Sequence, residues 1–442
     1  MATKAAFKEK FGYGLGDMAS SMFWKLFSYY LPFFYSNIFG LSLGHAGTLL
    51  LVTKIYDAVS DPMMGIIADR TSTRWGRYRP YLLWMSVPFA VAGILTFLSP
   101  SFDSYTLRHI YAYASYILMM TVYTAINVPY GAMLGVVTSD PQEKSVFSSY
   151  RMFFAYVGSF LAMGLFEPLL GVPLKDSASG DWTFAVSVIA AVCAVLFICC
   201  FLLTKERVGT SVSASGNVWK DIRVLLSNRP WWLLLGASIG MLLFLSIRGG
   251  AAAYYWADVL EVNPLYTCAI FLTAGEIAQM TGVLLAVPLS SRIGKKGTFV
   301  GVLCIVALLS LMIAFVPETR SGMCILMVLQ VLICIAAGVA SPLMWSMFAD
   351  VADNTEKRYG TALTGLVFSS SSMAQKFGGA FGSALILWVL MAAGYDNASG
   401  AVQSEQAISA VKALMSYIPA AGALLGLLCL SFYSLKQESV ED

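Results

Sequence analysis

Asp69-Arg70-Thr71-Ser72-Thr73-Arg74-Trp75-Gly76-Arg77-Tyr78-Arg79 is a basic turn that follows the second of the chain's long apolar runs. A second basic turn, Ser291-Arg292-Ile293-Gly294-Lys295-Lys296-Gly297, follows the eighth run. Arg70 and Arg292 are 222 residues apart in a chain of 442, close to half its length. The two turns match weakly residue by residue. Their positions are those expected of a duplicated six-helix unit.

The surrounding composition names the solvent. Hydrophobic residues make up 58% of the chain and charged residues 12%, with mean hydropathy +0.72. A soluble domain carries about twice that charged fraction. A bilayer span needs about 20 mainly apolar residues. Apolar runs near 12–39, 44–69, 80–100, 106–138, 145–173, 183–204, 231–261, 265–289, 297–317, 322–349, 360–394 and 406–435 predict twelve such spans. Several contain proline (Pro32, Pro88, Pro129, Pro168, Pro288, Pro342, Pro419), which membrane helices tolerate where they face protein or a cavity. The basic start (Lys4, Lys8, Lys10) precedes an apolar run too long for a signal peptide and without a small-residue cleavage site, so it reads as a retained first span.

Lysine and arginine set the orientation. With the N-terminus inside, nineteen fall in cytoplasmic segments: Lys4, Lys8, Lys10, Arg70, Arg74, Arg77, Arg79, Lys144, Lys205, Arg207, Lys220, Arg223, Arg229, Arg292, Lys295, Lys296, Lys357, Arg358 and Lys436. Four (Arg108, Lys175, Arg320, Lys412) fall outside. Both termini are therefore expected in the cytoplasm of a multi-pass protein of the plasma (bacterial inner) membrane. The longest internal connection, 205–230, holds Ser211-Val-Ser-Ala-Ser-Gly216 and divides the chain into bundles 1–204 and 231–442.

Net charge is only +3, and no basic cluster is interleaved with aromatics, which argues against a nucleic-acid partner. The eight cysteines lie inside apolar runs and read as small core residues with reduced thiols. His45 and His109, the two histidines, are distant in sequence near predicted external helix ends. No cofactor is expected.

Charges at bilayer depth are costly, so they usually face a cavity and pair. Lys54-Ile-Tyr-Asp57-Ala-Val-Ser-Asp61-Pro62 puts a cation and two carboxylates on one helix face, by spacings of three and four. Asp57 and Asp61 can hold a proton or coordinate Na⁺ through hard oxygen ligands, with Lys54 or Lys376 as compensating cation. Asp69 beside Arg70, and Asp350 and Asp353 near Lys357 and Arg358, read as structural pairs at helix ends. Tyr123-Thr124-Ala-Ile-Asn127-Val-Pro129-Tyr130 and Arg151 offer aromatic faces with amide and guanidinium donors, the chemistry a sugar ring asks for. Asp17 with Ser20, Ser21 and Trp24 forms a candidate cavity face in the first span. Lys376, in Ser372-Met-Ala-Gln375-Lys376-Phe-Gly378-Gly379, calls for a carboxylate from the first half. Arg248 and Glu276 read as a structural pair.

These segments resemble those of the glycoside–pentoside–hexuronide:cation symporters, a branch of the major facilitator superfamily that includes the melibiose carriers. The matches are Gly12-Tyr-Gly-Leu-Gly-Asp17, Tyr56-Asp57-Ala-Val-Ser-Asp61-Pro62-Met-Met-Gly65, Arg74-Trp-Gly-Arg77-Tyr-Arg79-Pro80, Asn127-Val-Pro129-Tyr130-Gly131, Ala349-Asp350-Val-Ala-Asp353 and Lys376-Phe-Gly-Gly379. The resemblance implies a cation site on Asp57, Asp61 and Thr124, with Lys376 close by. Two departures stand out. Asn127 replaces an aspartate of the melibiose carriers, and Ser20 and Ser21 align with their Lys-Asp pair, so galactoside specificity is not implied. Arg151 matches the family arginine after a one-residue shift.

The expected protein is all-α, with twelve transmembrane helices in a major-facilitator fold of two pseudo-symmetric six-helix bundles, functional as a monomer. Its expected activity is sugar or glycoside symport with H⁺ or Na⁺ by alternating access. The sugar is expected on Asn127, Tyr130, Arg151, Trp345, Gln375 and Lys376, with Asp17, Ser20, Ser21 and Tyr123 contributing. Asn127 leaves the cation site one carboxylate poorer than in the melibiose carriers, which favours H⁺ over Na⁺. One rival is an intramembrane prenyltransferase using the DxxxD acids for Mg²⁺ and pyrophosphate. Its second acid motif would have to be Asp350-x-x-Asp353, at a helix end beside basic residues. Another rival is a facilitator-fold exporter or uncoupled sensor.

Overall fold

The computed structural model describes residues 6–102, 104–138, 141–207, 223–260, 267–359, 364–397 and 402–434. Among them, helices account for nearly everything outside short turns and form twelve rods. The first, α1, is Phe7–Tyr29, continued by Leu31–Phe33 and a π-helical turn, Phe34–Ile38. Next come α2 (Leu43–Arg70), α3 (Arg79–Trp84 and Ser86–Thr96), α4 (Tyr105–Val137), α5 (Pro141–Leu170) and α6 (Ser179–Leu203). They are followed by α7 (Arg229–Asp258), α8 (Thr267–Ile293), α9 (Lys295–Ile313), α10 (Arg320–Tyr359), α11 (Thr364–Ala392) and α12 (Glu405–Met415 and Tyr417–Ser431).

The three broken rods have a common cause. Proline lacks the N–H that would bond to the carbonyl four residues back. Pro32, Pro88 and Pro419 each follow a break, at Tyr30, Met85 and Ser416. Pro129, Pro168, Pro288 and Pro342 instead lie within unbroken helices. Rods α4 to α10 and α12 each combine the length and apolarity to cross a bilayer. Of the other four, α1 and α2 carry charges within the helix and α3 is broken at Met85.

The chain divides into two compact units. The first comprises Met1–Val212, Ala252–Glu276 and Ser383–Ile408. Within it α1 packs on α5 and α6, α2 on α4, and α3 on α4 and α6. Its core includes Trp182, ringed by Tyr30, Phe33, Phe34, Phe97 and Phe166 at centroid distances of 4.4–6.2 Å within the cluster. The Trp182 indole N–H donates to Ser177 Oγ (2.7 Å), so the buried ring leaves no donor unpaired. The second unit comprises Ser213–Ala251, Ile277–Gly382 and Ser409–Asp442, where α9 packs on α10 and α12.

The basic turn between α2 and α3 is held by an acid from beyond α6. The backbone N–H groups of Arg77, Tyr78 and Arg79 donate to the Glu206 carboxylate at 2.7–2.8 Å. These are orphan donors at the start of α3, where a negative charge is favoured. In the second unit Lys295, from the other basic turn, binds Asp350 (2.7 Å). The side chains of Asp69, Asp353, Lys357 and Arg358 lie outside the described residues. All eight cysteines are free thiols. Cys193, Cys200, Cys268 and Cys334 are buried as expected, whereas Cys304 and Cys324 are exposed on apolar helices and so are surface residues, not core.

Candidate functional site

In the first unit, α2 and α4 bring two acids and a hydroxyl together. Asp57 is fully buried and Asp61, one turn on, is half-buried. Across from them the Thr124 hydroxyl lies 2.9 Å from Asp57 Oδ1 and 2.9 Å from Asp61 Oδ1. A hydroxyl has one proton to donate. It can therefore satisfy one carboxylate, and the other oxygen contact becomes favourable when that acid carries a proton or a cation lies between. One turn back, the buried Lys54 ammonium sits 4.2 Å over the Trp24 ring and 3.8 Å from Met120 Sδ. Among the described residues no three His, Cys, Asp or Glu gather as a metal cluster. The acids and Thr124 are hard oxygen donors, a set suited to a proton or Na⁺ and not to a soft metal.

Asn127, a turn beyond Tyr123, donates its amide to the Tyr123 carbonyl (3.1 Å), so one of its donors is already used within α4. Tyr123 is buried, with Trp24 and Phe89 rings at 6.1 Å on either hand. It lies within electrostatic reach of Asp17, Asp57, Asp61 and Arg151 together.

Arg151 of α5 donates from Nε to Asp17 Oδ2 of α1 (3.1 Å), and its guanidinium lies 5.4 Å from the Tyr130 ring centre. This meeting depends on a close helix crossing. A Cβ at Gly158 would come 2.3 Å from the Met18 carbonyl oxygen, so only glycine lets α5 approach α1 there. Gly16 likewise makes room for the Tyr130 ring, at 2.5 Å from a would-be Cβ. Tyr130 is fully buried, stacks on Tyr13 at 4.7 Å and donates its hydroxyl to the Tyr13 carbonyl (2.6 Å). The buried Ser20 hydroxyl donates back to the Gly16 carbonyl (3.0 Å). Ser21 is half-buried. On α1 from Asp17 onward the half-exposed positions are Asp17, Met18, Ser21, Trp24, Lys25, Ser28 and Tyr29. That is one helical stripe, mostly polar, and a polar stripe at bilayer depth faces an aqueous path and not lipid.

The second unit carries the remaining expected residues. Trp345 is half-buried on α10, 6.3 Å from Phe348, and Lys376 is half-buried on α11. Gln375 lies on α11 with its side chain outside the described residues.

The sequence reading missed several pairs. Glu276 takes Lys25 of α1 as its partner (2.6 Å), not Arg248. Glu167 of α5 accepts from Tyr30 Oη (3.1 Å) and from the Ala269 N–H (3.0 Å) in the first turn of α8. His45 and His109 touch, with ring centres 4.4 Å apart. Lys25 and Glu167 carried no local signal of a partner, and only helix adjacency shows who meets whom.

The chain matches the family model described as MFS/sugar transport protein over residues 12–437. It is 34% identical to the inner membrane symporter YicJ of Escherichia coli over 98% of this chain and 93% of that protein. It is 32% identical to the isoprimeverose transporter of Lactiplantibacillus pentosus over 97% of this chain and 88% of that one. In three dimensions it superposes on a D-xylose-proton symporter with TM-score 0.69, covering 98% of each chain at 14% identity.

Proposed function

Because this chain belongs to the MFS/sugar transport protein family, and is a multi-pass sugar:cation symporter and not an enzyme, we propose that Asp57, Asp61 and Thr124 hold its coupling cation and that the cation is H⁺. The observation that carries this is the single Thr124 hydroxyl, 2.9 Å from an oxygen of each acid. In the empty site the hydroxyl serves one carboxylate. With one proton bound, the protonated acid donates to Thr124 Oγ1 while the hydroxyl donates to the other acid. Protonation thus adds a hydrogen bond where burial already disfavours two like charges.

The sugar or glycoside is assigned to the polar face formed by Asp17, Ser20, Ser21, Tyr123, Asn127, Tyr130 and Arg151, with Trp345, Gln375 and Lys376 from the second half. Arg151 and Asp17, already bonded, present donor and acceptor together, which suits a hydroxyl pair on a sugar ring. Tyr130 and Ser20 act from behind, since their hydroxyls are spent on backbone carbonyls. Lys376 supplies the cation that compensates the acids before the proton arrives. The halves 1–204 and 231–442, joined by 205–230, alternate access as bundles around this site. The protein works as a monomer in the bacterial inner membrane with both termini in the cytoplasm.

Uptake in vesicles tests the cation. A pH gradient without Na⁺ should drive accumulation of isoprimeverose, the sugar named for one relative, and Asp57→Asn or Asp61→Asn should abolish it while leaving sugar binding measurable, because the cation shifts a conformational equilibrium. Accumulation under a Na⁺ gradient alone would replace H⁺ by Na⁺, and wild-type accumulation by Asp57→Asn would remove the site.

A further inference from the structure

The Lys25–Glu276 ion pair belongs to neither the cation site nor the residues assigned to sugar. It joins the last two turns of α1 to the first half of α8, two helices far apart in sequence. Lys25 Nζ donates to Glu276 Oε1 (2.6 Å) and to Tyr29 Oη (3.2 Å). Glu276 is 2% exposed, yet its second oxygen, Oε2, is buried without a hydrogen-bond partner. One turn earlier on α8, Thr273 Oγ1 is buried without a partner as well. Both oxygens follow a firm tie closer to the start of α8, where Glu167 binds the Ala269 N–H and Tyr30.

A permanent clamp would satisfy both oxygens of its carboxylate, since a buried acceptor without a donor is penalised. A contact that must open in every cycle is better left half-satisfied, because the conformation that closes it is then only slightly favoured. Lys25 also stands on the half-exposed polar stripe of α1, next to Trp24 and one turn from Ser21 and Ser28. Water or a sugar hydroxyl reaching that stripe can replace Glu276 as the partner of its ammonium. Glu276 is moreover the last residue that α8 contributes to the first unit, the helix passing to the second unit at Ile277.

We propose that Lys25–Glu276 is a latch that holds α8 to α1 while access is shut on the side of the Gly40 turn, and that it opens once per transport cycle. The same side is tied by further bonds within the first unit. Ser36 Oγ meets Tyr254 Oη (2.7 Å), Asn37 donates to Tyr395 Oη (3.0 Å), and Asn397 donates to the Ser36 and Leu41 carbonyls (2.8 and 2.9 Å). Tyr395 donates to Asp258 (2.6 Å), and burial pushes its phenol well above the ordinary range, so it keeps that proton. Ser36, Tyr254 and Tyr395 are themselves buried, and among these ties Lys25–Glu276 is the ion pair. The latch rests on the alternating-access reading above.

The test uses the full chain in oriented vesicles, with exposed Cys304 and Cys324 replaced by serine and Ser28→Cys as reporter. An impermeant maleimide is applied from either side. Lys25→Met and Glu276→Gln should each raise labelling of the reporter from the Gly40-turn side by about tenfold, toward the low end of typical coupling energies. The exchanged pair, Lys25→Glu with Glu276→Lys, should return labelling to near its original rate. Unchanged labelling in both single variants, with protein monodisperse, would overturn the latch and leave a structural clamp. Should a single variant not fold, Lys25→Arg and Glu276→Asp keep the charges and should give smaller increases, and no increase there overturns it equally. Labelling needs no substrate, so failure of sugar uptake would count against the alternating-access reading and not against this pair.

Discussion

Replacing Thr124 by valine removes one oxygen from the acid pair and almost nothing else, since the two side chains have nearly the same shape. In the empty site the hydroxyl makes one charge-assisted bond. In the occupied site it makes two, one as donor and one as acceptor, with Asp57 and Asp61 both 2.9 Å away. The substitution therefore costs the occupied state one bond more than the empty state. That extra bond runs from a protonated, neutral acid to a hydroxyl, and such a bond contributes about 0.5–1.5 kcal/mol. Each 1.4 kcal/mol is tenfold in an equilibrium constant, so the proton concentration giving half-maximal uptake should rise roughly two- to ten-fold. The assay is initial uptake in vesicles across a series of external pH values, with Thr124→Ser as the control that restores the hydroxyl. An unchanged proton dependence in Thr124→Val, or a loss that Thr124→Ser does not recover, would refute the shared-hydroxyl argument.

Three further outcomes are expected. Gly158→Ala should destabilise the folded protein by about 1–3 kcal/mol or more, because its Cβ meets a backbone oxygen that cannot swing aside. Gly131→Ala, with nothing within 4 Å, should leave the melting temperature in detergent nearly unchanged. Glu206→Gln should weaken the three backbone bonds that fix the start of α3, costing about 1–3 kcal/mol in thermal unfolding. Ala178→Cys, exposed before α6, should react with an impermeant thiol reagent applied to intact cells, and Lys205→Cys, exposed after α6, should react only after permeabilisation. Equal labelling of the two would remove the proposed orientation.

The helices were legible in the sequence because bilayer thickness imposes a length that apolar runs either reach or miss. The acid pair was legible too: Asp57 and Asp61 are four apart on one helix, and local spacing fixes local geometry. Thr124 came with the family resemblance, since its meeting with α2 depends on which helices are neighbours. Lys25, Glu167 and Glu206 went unremarked in the sequence, and Glu276 was paired there with Arg248. Their partners lie more than 100 residues away in sequence, so nothing in local pattern could choose among them. The breaks in α1, α3 and α12 were half-legible. Proline marked seven candidate positions, but the three that interrupt a rod are distinguished from the four that do not only once the helices are packed.

The crossing of α1 and α5 also says where diversity can be introduced. Gly14 and Gly16 are pressed against the Phe154 and Tyr130 rings, and Gly158 against the Met18 backbone, so any side chain at these three positions has nowhere to go. Further along the same helix, Ser21, Trp24 and Ser28 are half-exposed. A mutant library aimed at new substrates should therefore hold the three glycines constant and randomise the stripe. Most of its members would then keep the scaffold, and selection would act on recognition instead of on survival of the fold.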